Sequence, residues 1–370
     1  MKNKICCIFN IGSHYRESIY TLMDQELQCD FYMGDTVFKP LKTMDYNSLK
    51  GYRKTIKNKK SIIKGYIWQQ GVWRLVFKPY KSYIINSSPY YLSNWIVLIL
   101  AKILGKKTYA WTHGIKGSSS KKQMILQKNF YRLFDKIFLY GDQGQRLMIE
   151  QGFDKDKLVL LYNSLDYKKQ LVVRNKLKPS DVYKKYFNND FPVLIYIGRI
   201  QTSKKVNLLV EALKNLREKD IPCNLVVVGE DIDDNDIPKL VKKYNIDKNV
   251  WFYGPCYKEE LIGPLLYNAD VCVSPGLIGL TAIHSLTYGT PVITSDNFYG
   301  HGPEFEAIKP GLTGDFFEEG NLDDLVLKIN NWINLDKSSR NKTRLEAYRL
   351  VDDKYNPFYQ INVLKKVLQS

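Results

Sequence analysis

Between Asp45 and Asp135 the chain has no acidic residue. The same interval holds eighteen lysines and arginines, interleaved with Tyr52, Tyr66, Trp68, Trp73, Phe77 and Tyr80. The imbalance covers the first half. Residues 1–185 carry 34 basic and 13 acidic side chains, residues 186–370 carry 21 and 25, and the whole chain has a net charge of +17. Such a field attracts anionic membrane surfaces, phosphorylated lipids or nucleic acid, with a merely solvated basic face as the alternative. Cysteine is also scarce. The six present show no metal-ligand spacing, and Cys6 and Cys7, adjacent on one strand, point to opposite faces. A disulfide scaffold is excluded, and reduced core cysteines in a cytoplasmic protein are expected. Long apolar runs are missing too. The most apolar stretch, NWIVLILAKIL from Asn94 to Leu104, is too short to cross a bilayer and reads as a buried helix. The opening MKNKICCIFNIG loses its apolar run at Asn10, so it reads as a first strand rather than a signal peptide. Repeats and low-complexity tracts are absent.

The 370 residues suffice for two domains, each with its own core. In the second half, VLIYIG, NLVVVG, VWFYG, VCVSPG and PVITS are short, continuously apolar strands separated by helical segments. One of these, VNLLVEALKNLREK, places Leu209, Ala212, Leu213 and Leu216 on one side. Alternation of this kind predicts an α/β fold with a parallel sheet covered on both faces. The first half repeats the scheme with KICCIFN, CDFYMG, SYIIN, TYAWTHG, KIFLYG and LVLLYN. The polar stretch 172–190 reads as a linker between a first domain, 1–171, and a second, 191–350. Residues 351–370 are expected as a C-terminal helix packing back on the first domain. Two doubly wound domains so joined form a cleft, and ligands bind at the carboxyl ends of such strands.

Two loops carry groups suited to an anion. In YIGRIQTSKKVNLL the strand ends at Gly198, and Arg199 and Lys204 follow just before a helix. Arginine offers a planar fork to phosphate oxygens, lysine a point charge, and the helix start adds positive potential. Ordinary loop charges would look the same. In SPGLIGLTAIHSLTYGTPVITSD, Gly276 and Gly279 shape a turn whose backbone N–H groups at Leu280 and Thr281 open a helix. Thr281, His284 and Tyr288 share one face of that helix, and a structural core histidine is the alternative for His284.

The ordered series GRIQTSKKVNLLVEAL, LVVVGED, VWFYGP, LYNADVCVSPG, GTPVITSD and EAIKPGLTG resembles the retaining glycosyltransferases of family 4 (glycosyl transferases group 1), which have the GT-B fold. The resemblance is strong over residues 190–330 and extends weakly to WTHG and YNSLD. It implies an α/β GT-B architecture of two Rossmann-like domains. It implies that Arg199 and Lys204 hold a donor diphosphate. Gly276, Gly279, Leu280 and Thr281 then contact phosphate and donor sugar, Pro255, Cys256 and Tyr257 lie along the base, and Glu306 sits on the donor side. His113 stands near the reacting sugar and Gly12 faces the donor or acceptor, with His14 and Arg16 on the acceptor side. The family usually carries glutamates where this chain has Gly276 and His284, so His284 is expected to stand in at the ribose.

The implied activity is retaining transfer of a hexose from a nucleotide-diphosphate sugar, without metal or other cofactor. The expected acceptor is a lipid-linked saccharide in bacterial capsule, O-antigen or lipopolysaccharide assembly. The basic first domain places the enzyme in the cytoplasm, peripheral at the inner face of the membrane and without a nucleic-acid partner. A sugar-nucleotide epimerase of the same fold is the rival enzyme, and a basic nucleic-acid-binding protein the rival binder.

Overall fold

A computed structural model describes residues 5–35 and 42–369. The chain divides into two compact units, one made of residues 1–166 and 356–370 and the other of 167–355.

The first unit opens with β1 (Ile5–Phe9), α1 (Glu17–Leu27) and β2 (Asp30–Gly34). Next come β3 (Tyr52–Ile56) and a hairpin of β4 (Asn58–Lys60) and β5 (Ile67–Gln69). Then follow β6 (Ser82–Asn86), α2 (Leu92–Ile103), β7 (Lys107–Thr112), α3 (Lys121–Tyr131), β8 (Lys136–Leu139), α4 (Asp142–Glu150) and β9 (Leu158–Leu160). Among the described residues seven strands form a parallel sheet in the order β3-β2-β1-β6-β7-β8-β9. Cys6 and Ile8 enter the core on one face, while Cys7 and Phe9 enter the core on the other. Strand alternation therefore does separate the two cysteines, and all six cysteines are free. The helix expected to be buried, α2, is buried on one side only. Val97, Leu98 and Ala101 are inside, whereas Ile96, Ile99 and Ile103 are exposed.

The second unit begins earlier than the sequence suggested. The stretch expected as a linker carries α5 (Tyr167–Arg174) and α6 (Val182–Phe187), both packed on the unit that follows. Arg174 makes a two-point bond to Asp352, and Tyr183 donates to the Leu265 carbonyl. From there β10 (Val193–Ile197), α7 (Val206–Glu218), β11 (Asn224–Val228), α8 (Ile237–Lys243), β12 (Val250–Phe252) and α9 (Glu259–Asn268) alternate. They are followed by β13 (Val271–Ser274), α10 (Thr281–Thr287), β14 (Val292–Ser295), β15 (Gly314–Phe317), α11 (Leu322–Ile333) and α12 (Lys337–Lys354). The sheet is parallel, in the order β12-β11-β10-β13-β14-β15. Leu209, Leu213 and Leu216 of α7 bury fully against Leu194, Leu225 and Val273, and each such side chain contributes about 1.5–3 kcal/mol. A last helix, α13 (Pro357–Leu368), returns to the first unit and sets Ile361 and Leu364 into the core beside α1. It starts at Pro357, capped by Asn356, and not at residue 351, because α12 runs on to Lys354.

Candidate functional site

In each sheet the chain winds outward in both directions from one central strand. In the second unit the order reverses between β10 and β13, so the loops leaving these two strands diverge and leave space at their carboxyl ends. The β10 loop begins at Gly198, whose φ of +140° an L side chain rarely adopts. Arg199 follows, exposed, with its guanidinium bonded to none of the described residues, while Tyr196 donates to its carbonyl at 2.8 Å. Residues Thr202–Lys204 make one 3-10 turn. Lys205, left-handed at φ 50°, then leads into α7 with no side-chain cap on its first N–H groups.

The β13 loop is stitched to that turn. Gly276 donates to the Lys204 carbonyl at 3.0 Å and Leu277 to the Ser203 carbonyl at 2.9 Å, while the Lys204 ammonium returns a bond to the Leu277 carbonyl. Arg199, Lys204 and the glycine loop are thus one construction. Gly276 is buried inside it. A Cβ there would lie 2.2 Å from the Ser203 carbonyl oxygen, so this packing leaves no room for the glutamate usual in the family. The N–H groups of Leu280 and Thr281 make no backbone bond to a described residue, and the Thr281 hydroxyl donates to the Ile197 carbonyl at 3.2 Å.

Two residues missed in the sequence complete this loop. His301 accepts from the Ile278 N–H at Nδ1, 3.1 Å, and donates from Nε2 to the Ser295 carbonyl, 2.7 Å. Those partners define a neutral ring with its proton on Nε2. Burial, with Lys204 nearby, also lowers the His301 pKa. Glu304 is 3% exposed, and one of its carboxylate oxygens would lie 3.6 Å from a Cβ at Gly279. The carboxylate against the glycine loop is therefore Glu304. Glu306, two residues on in the same 3-10 turn, is half-buried. Burial and then Arg199 lower the Lys204 pKa, and Glu304 opposes them.

His284 does not present a free ring. Its Nε2 lies 3.0 Å from Glu259, which also accepts from the Tyr288 hydroxyl at 2.7 Å and from Gln170 at 3.2 Å. Burial raises the Glu259 pKa, but the His284 charge and these three bonds outweigh it and hold the carboxylate below its ordinary range. A carboxylate does stand beside position 284, but it comes from the first turn of α9. Pro255, Cys256 and Tyr257 lead directly into that turn from β12, with Pro255 and Tyr257 exposed.

In the first unit the order reverses at β1 and β6, and the expected residues cluster at the carboxyl ends of β1 and β7. Gly12 donates to the Tyr46 hydroxyl at 3.0 Å, and His14 donates from Nδ1 to the Lys42 carbonyl at 3.1 Å. The Arg16 guanidinium lies 5.1 Å from the Tyr140 ring and 5.7 Å from that of Trp111, within cation–π range. The His113 ring is 4.7 Å from the same Tyr140. His113 is open to solvent on one side. Desolvation by its neighbours, and after that Arg16 and Lys116, push its pKa below the ordinary histidine value. It is a neutral imidazole at pH 7. The Tyr140 hydroxyl and the Trp111 indole N–H are buried without a partner among the described residues.

Residues 178–349 match the family model for glycosyl transferases group 1. The matched stretch covers most of the second unit and includes both stitched loops. Among curated relatives, a glycogen synthase of Mycobacterium tuberculosis is 28% identical over 163 residues, 43% of this chain and 38% of that protein. A poly(ribitol-phosphate) α-N-acetylglucosaminyltransferase of Staphylococcus aureus is 23% identical over 228 residues, 59% of this chain and 45% of that protein. The chain therefore spans less than half the length of these relatives. Anabaena Alr3699/HepE, solved in complex with UDP, superposes with a TM-score of 0.75 at 16% identity, over 99% of this chain and 100% of that one. The fold is GT-B, with two Rossmann-like parallel sheets. No helix among the described residues is long and apolar enough to cross a membrane, and no cluster there could hold a metal ion.

Proposed function

We propose that this protein is a glycosyltransferase that moves a sugar from a nucleotide-diphosphate sugar to a saccharide hydroxyl with retention of configuration. The observation that supports this best is the stitched pair of loops. An exposed guanidinium and a partly buried ammonium converge beside a glycine turn with free N–H groups, at the carboxyl ends of the central strands. Glycosidic cleavage builds negative charge on the leaving diphosphate. Arg199 and Lys204 neutralise that charge as it grows, so the reaction proceeds without a divalent cation. A low Lys204 pKa means that the charged lysine is poorly solvated before the donor arrives, so an anionic ligand is bound the more strongly. The leaving phosphate takes the acceptor proton on the face it departs from, which preserves the anomeric configuration. Glu304, abutting Gly279, is the carboxylate nearest to a sugar seated on that loop. Glu259, held by His284, Tyr288 and Gln170, takes the ribose hydroxyls next to the base stretch 255–257.

The acceptor is held by the first unit, with Arg16 and neutral His113 both beside Tyr140. We read it as lipid-linked, as used in bacterial surface-polysaccharide assembly. The basic, acid-free interval 46–134 supports this, as does the likeness to a transferase named for a poly(ribitol-phosphate) polymer. A thermal-shift panel of UDP-, GDP-, ADP- and dTDP-sugars tests the donor site, since a ligand of the folded state raises apparent stability. Arg199→Ala and Lys204→Ala are each expected to cut turnover about 10²–10³-fold with little change in melting temperature. Wild-type turnover by both variants refutes the reading, and conversion of the nucleotide sugar without acceptor favours an epimerase.

A further inference from the structure

The β4–β5 hairpin ends in two of the most exposed large apolar side chains of the first unit. Ile62 is fully exposed and Ile63 is 55% exposed. The tip is ordered by bonds from Ser61 N to the Tyr66 carbonyl, 2.8 Å, and from Tyr66 N to the Ile63 carbonyl, 3.1 Å. Its stem is fixed as well. Gln69 N donates to the Ser93 hydroxyl of α2 at 3.1 Å, and Ile67 N to the Tyr90 carbonyl at 2.8 Å. A rigid stem thus presents two isoleucines to solvent, an arrangement that folding alone does not favour. Around them Lys57, Lys59, Lys60 and Lys64 are exposed, and none pairs with an acid among the described residues. The helix that anchors the stem, α2, carries a second exposed apolar stripe of Ile96, Ile99 and Ile103.

The chemistry of this tip selects its partner. A nucleic acid would need stacking rings where isoleucine stands. A second copy of the chain would bring one lysine-rich tip against another and repel it. An anionic bilayer satisfies both components, because its acyl boundary takes the isoleucines and its phosphates take the lysines. We propose that the Asn58–Gln69 hairpin is a membrane-docking wedge: Ile62 and Ile63 enter the acyl boundary of an anionic bilayer while Lys57, Lys59, Lys60 and Lys64 engage lipid phosphates. The wedge deepens the reading of a lipid-linked acceptor and rests on that reading for its purpose. Charge draws the protein to the surface and the isoleucines hold it there, so only the first component is screened by salt.

Co-sedimentation of the full chain tests this, using phosphatidylcholine vesicles with and without phosphatidylglycerol across a salt series. Wild type is expected to pellet with the phosphatidylglycerol vesicles. Ile62→Ser/Ile63→Ser should weaken that binding at least about tenfold, and Lys59→Gln/Lys60→Gln/Lys64→Gln should remove most of its salt dependence. Both variants should keep the wild-type melting temperature and nucleotide-induced shift, since neither touches the donor loops. Wild type that ignores anionic vesicles overturns the wedge, as does an isoleucine variant that pellets like wild type. So does a lipid-free dimer that the isoleucine variant dissociates. A nucleotide shift without vesicle binding sinks the wedge alone, whereas vesicle binding without any nucleotide shift sinks the transferase reading and leaves the wedge.

Discussion

His284 shows how one substitution is absorbed by its neighbours. Its ring holds the Glu259 carboxylate at 3.0 Å, with Tyr288 and Gln170 as further donors. A glutamate at 284 would set two carboxylates in contact in a partly buried place. His284→Glu is therefore expected to cost about 1–3 kcal/mol at pH 7 and to recover on mild acidification, when the pair shares a proton. Glu259→Gln in the same chain should restore most of the loss, which a double-mutant cycle of urea midpoints will read. His301 gives a second residue-scale expectation. Its pKa is lowered in the folded state, so the folded chain binds fewer protons than the unfolded one as pH falls. The stability it contributes is complete above the ordinary histidine value of about 6.5 and is lost below it. A protonated ring cannot accept from Ile278, so the glycine loop of the folded protein loosens only at the lower pH where the folded ring itself takes up a proton. Lys204, Asp296 and Glu319 also face the ring, and Lys204 supports the neutral form. Donor-induced thermal shifts should hold through about pH 6.5 and shrink only below it, where the folded ring protonates, in wild type, with a flatter profile in His301→Ala.

Among the elements, what the sequence made legible were those whose burial is complete. β10, β11 and β13 are buried at every position and read as continuous apolar runs, and α7 reads as an amphipathic helix with the expected inner face. Of the four edge strands, β9 and β12 were read as LVLLYN and VWFYG, but β3 and β15 escaped. β3, YRKTI, is exposed at its centre and carries the polar side chains with which an edge avoids further pairing. β15, GDFF, is four residues long. The hairpin escaped for the same reason, because isoleucines at an exposed tip leave no alternation to read. At the site, Arg199 and Lys204 were legible from a strand-to-helix turn, whereas Glu304 and His301 were not. Their importance comes from a contact with a loop some 25 residues earlier that no local spacing announces. The helices α5 and α6 were hidden by polar composition, and α5 is held by contacts distant in sequence, Gln170 to Glu259, Lys169 to Glu260, and Tyr167 and Arg174 to Asp352. Asp352→Ala leaves the Arg174 guanidinium, 9% exposed, without its carboxylate. A loss of about 1–3 kcal/mol is expected, less than for a fully buried pair because Asp352 is partly exposed. Urea unfolding will measure it.

At the scale of the whole molecule, the two units differ in continuity. The second is one uninterrupted segment, 167–355, while the first is completed by α13, which lies at the far end of the chain. Ile361 and Leu364 belong to the same core as Phe9, Tyr20 and Trp111, so they support the sheet face whose Trp111 ring lies near the Arg16 guanidinium. Ending the chain after Tyr355 should expose that face and destabilise the first unit by several kcal/mol, about the burial of two such side chains and their neighbours. The same truncation should leave nucleotide-induced stabilisation of the second unit in place. Calorimetry of the truncated protein, with and without nucleotide, will separate the two. During synthesis the consequence is one of timing. The opening 166 residues leave the ribosome without their closing helix, and they must wait through the translation of nearly two hundred more before it arrives. Until then an apolar seam beside α1 stays uncovered in the nascent chain, and a chaperone is its natural temporary cover.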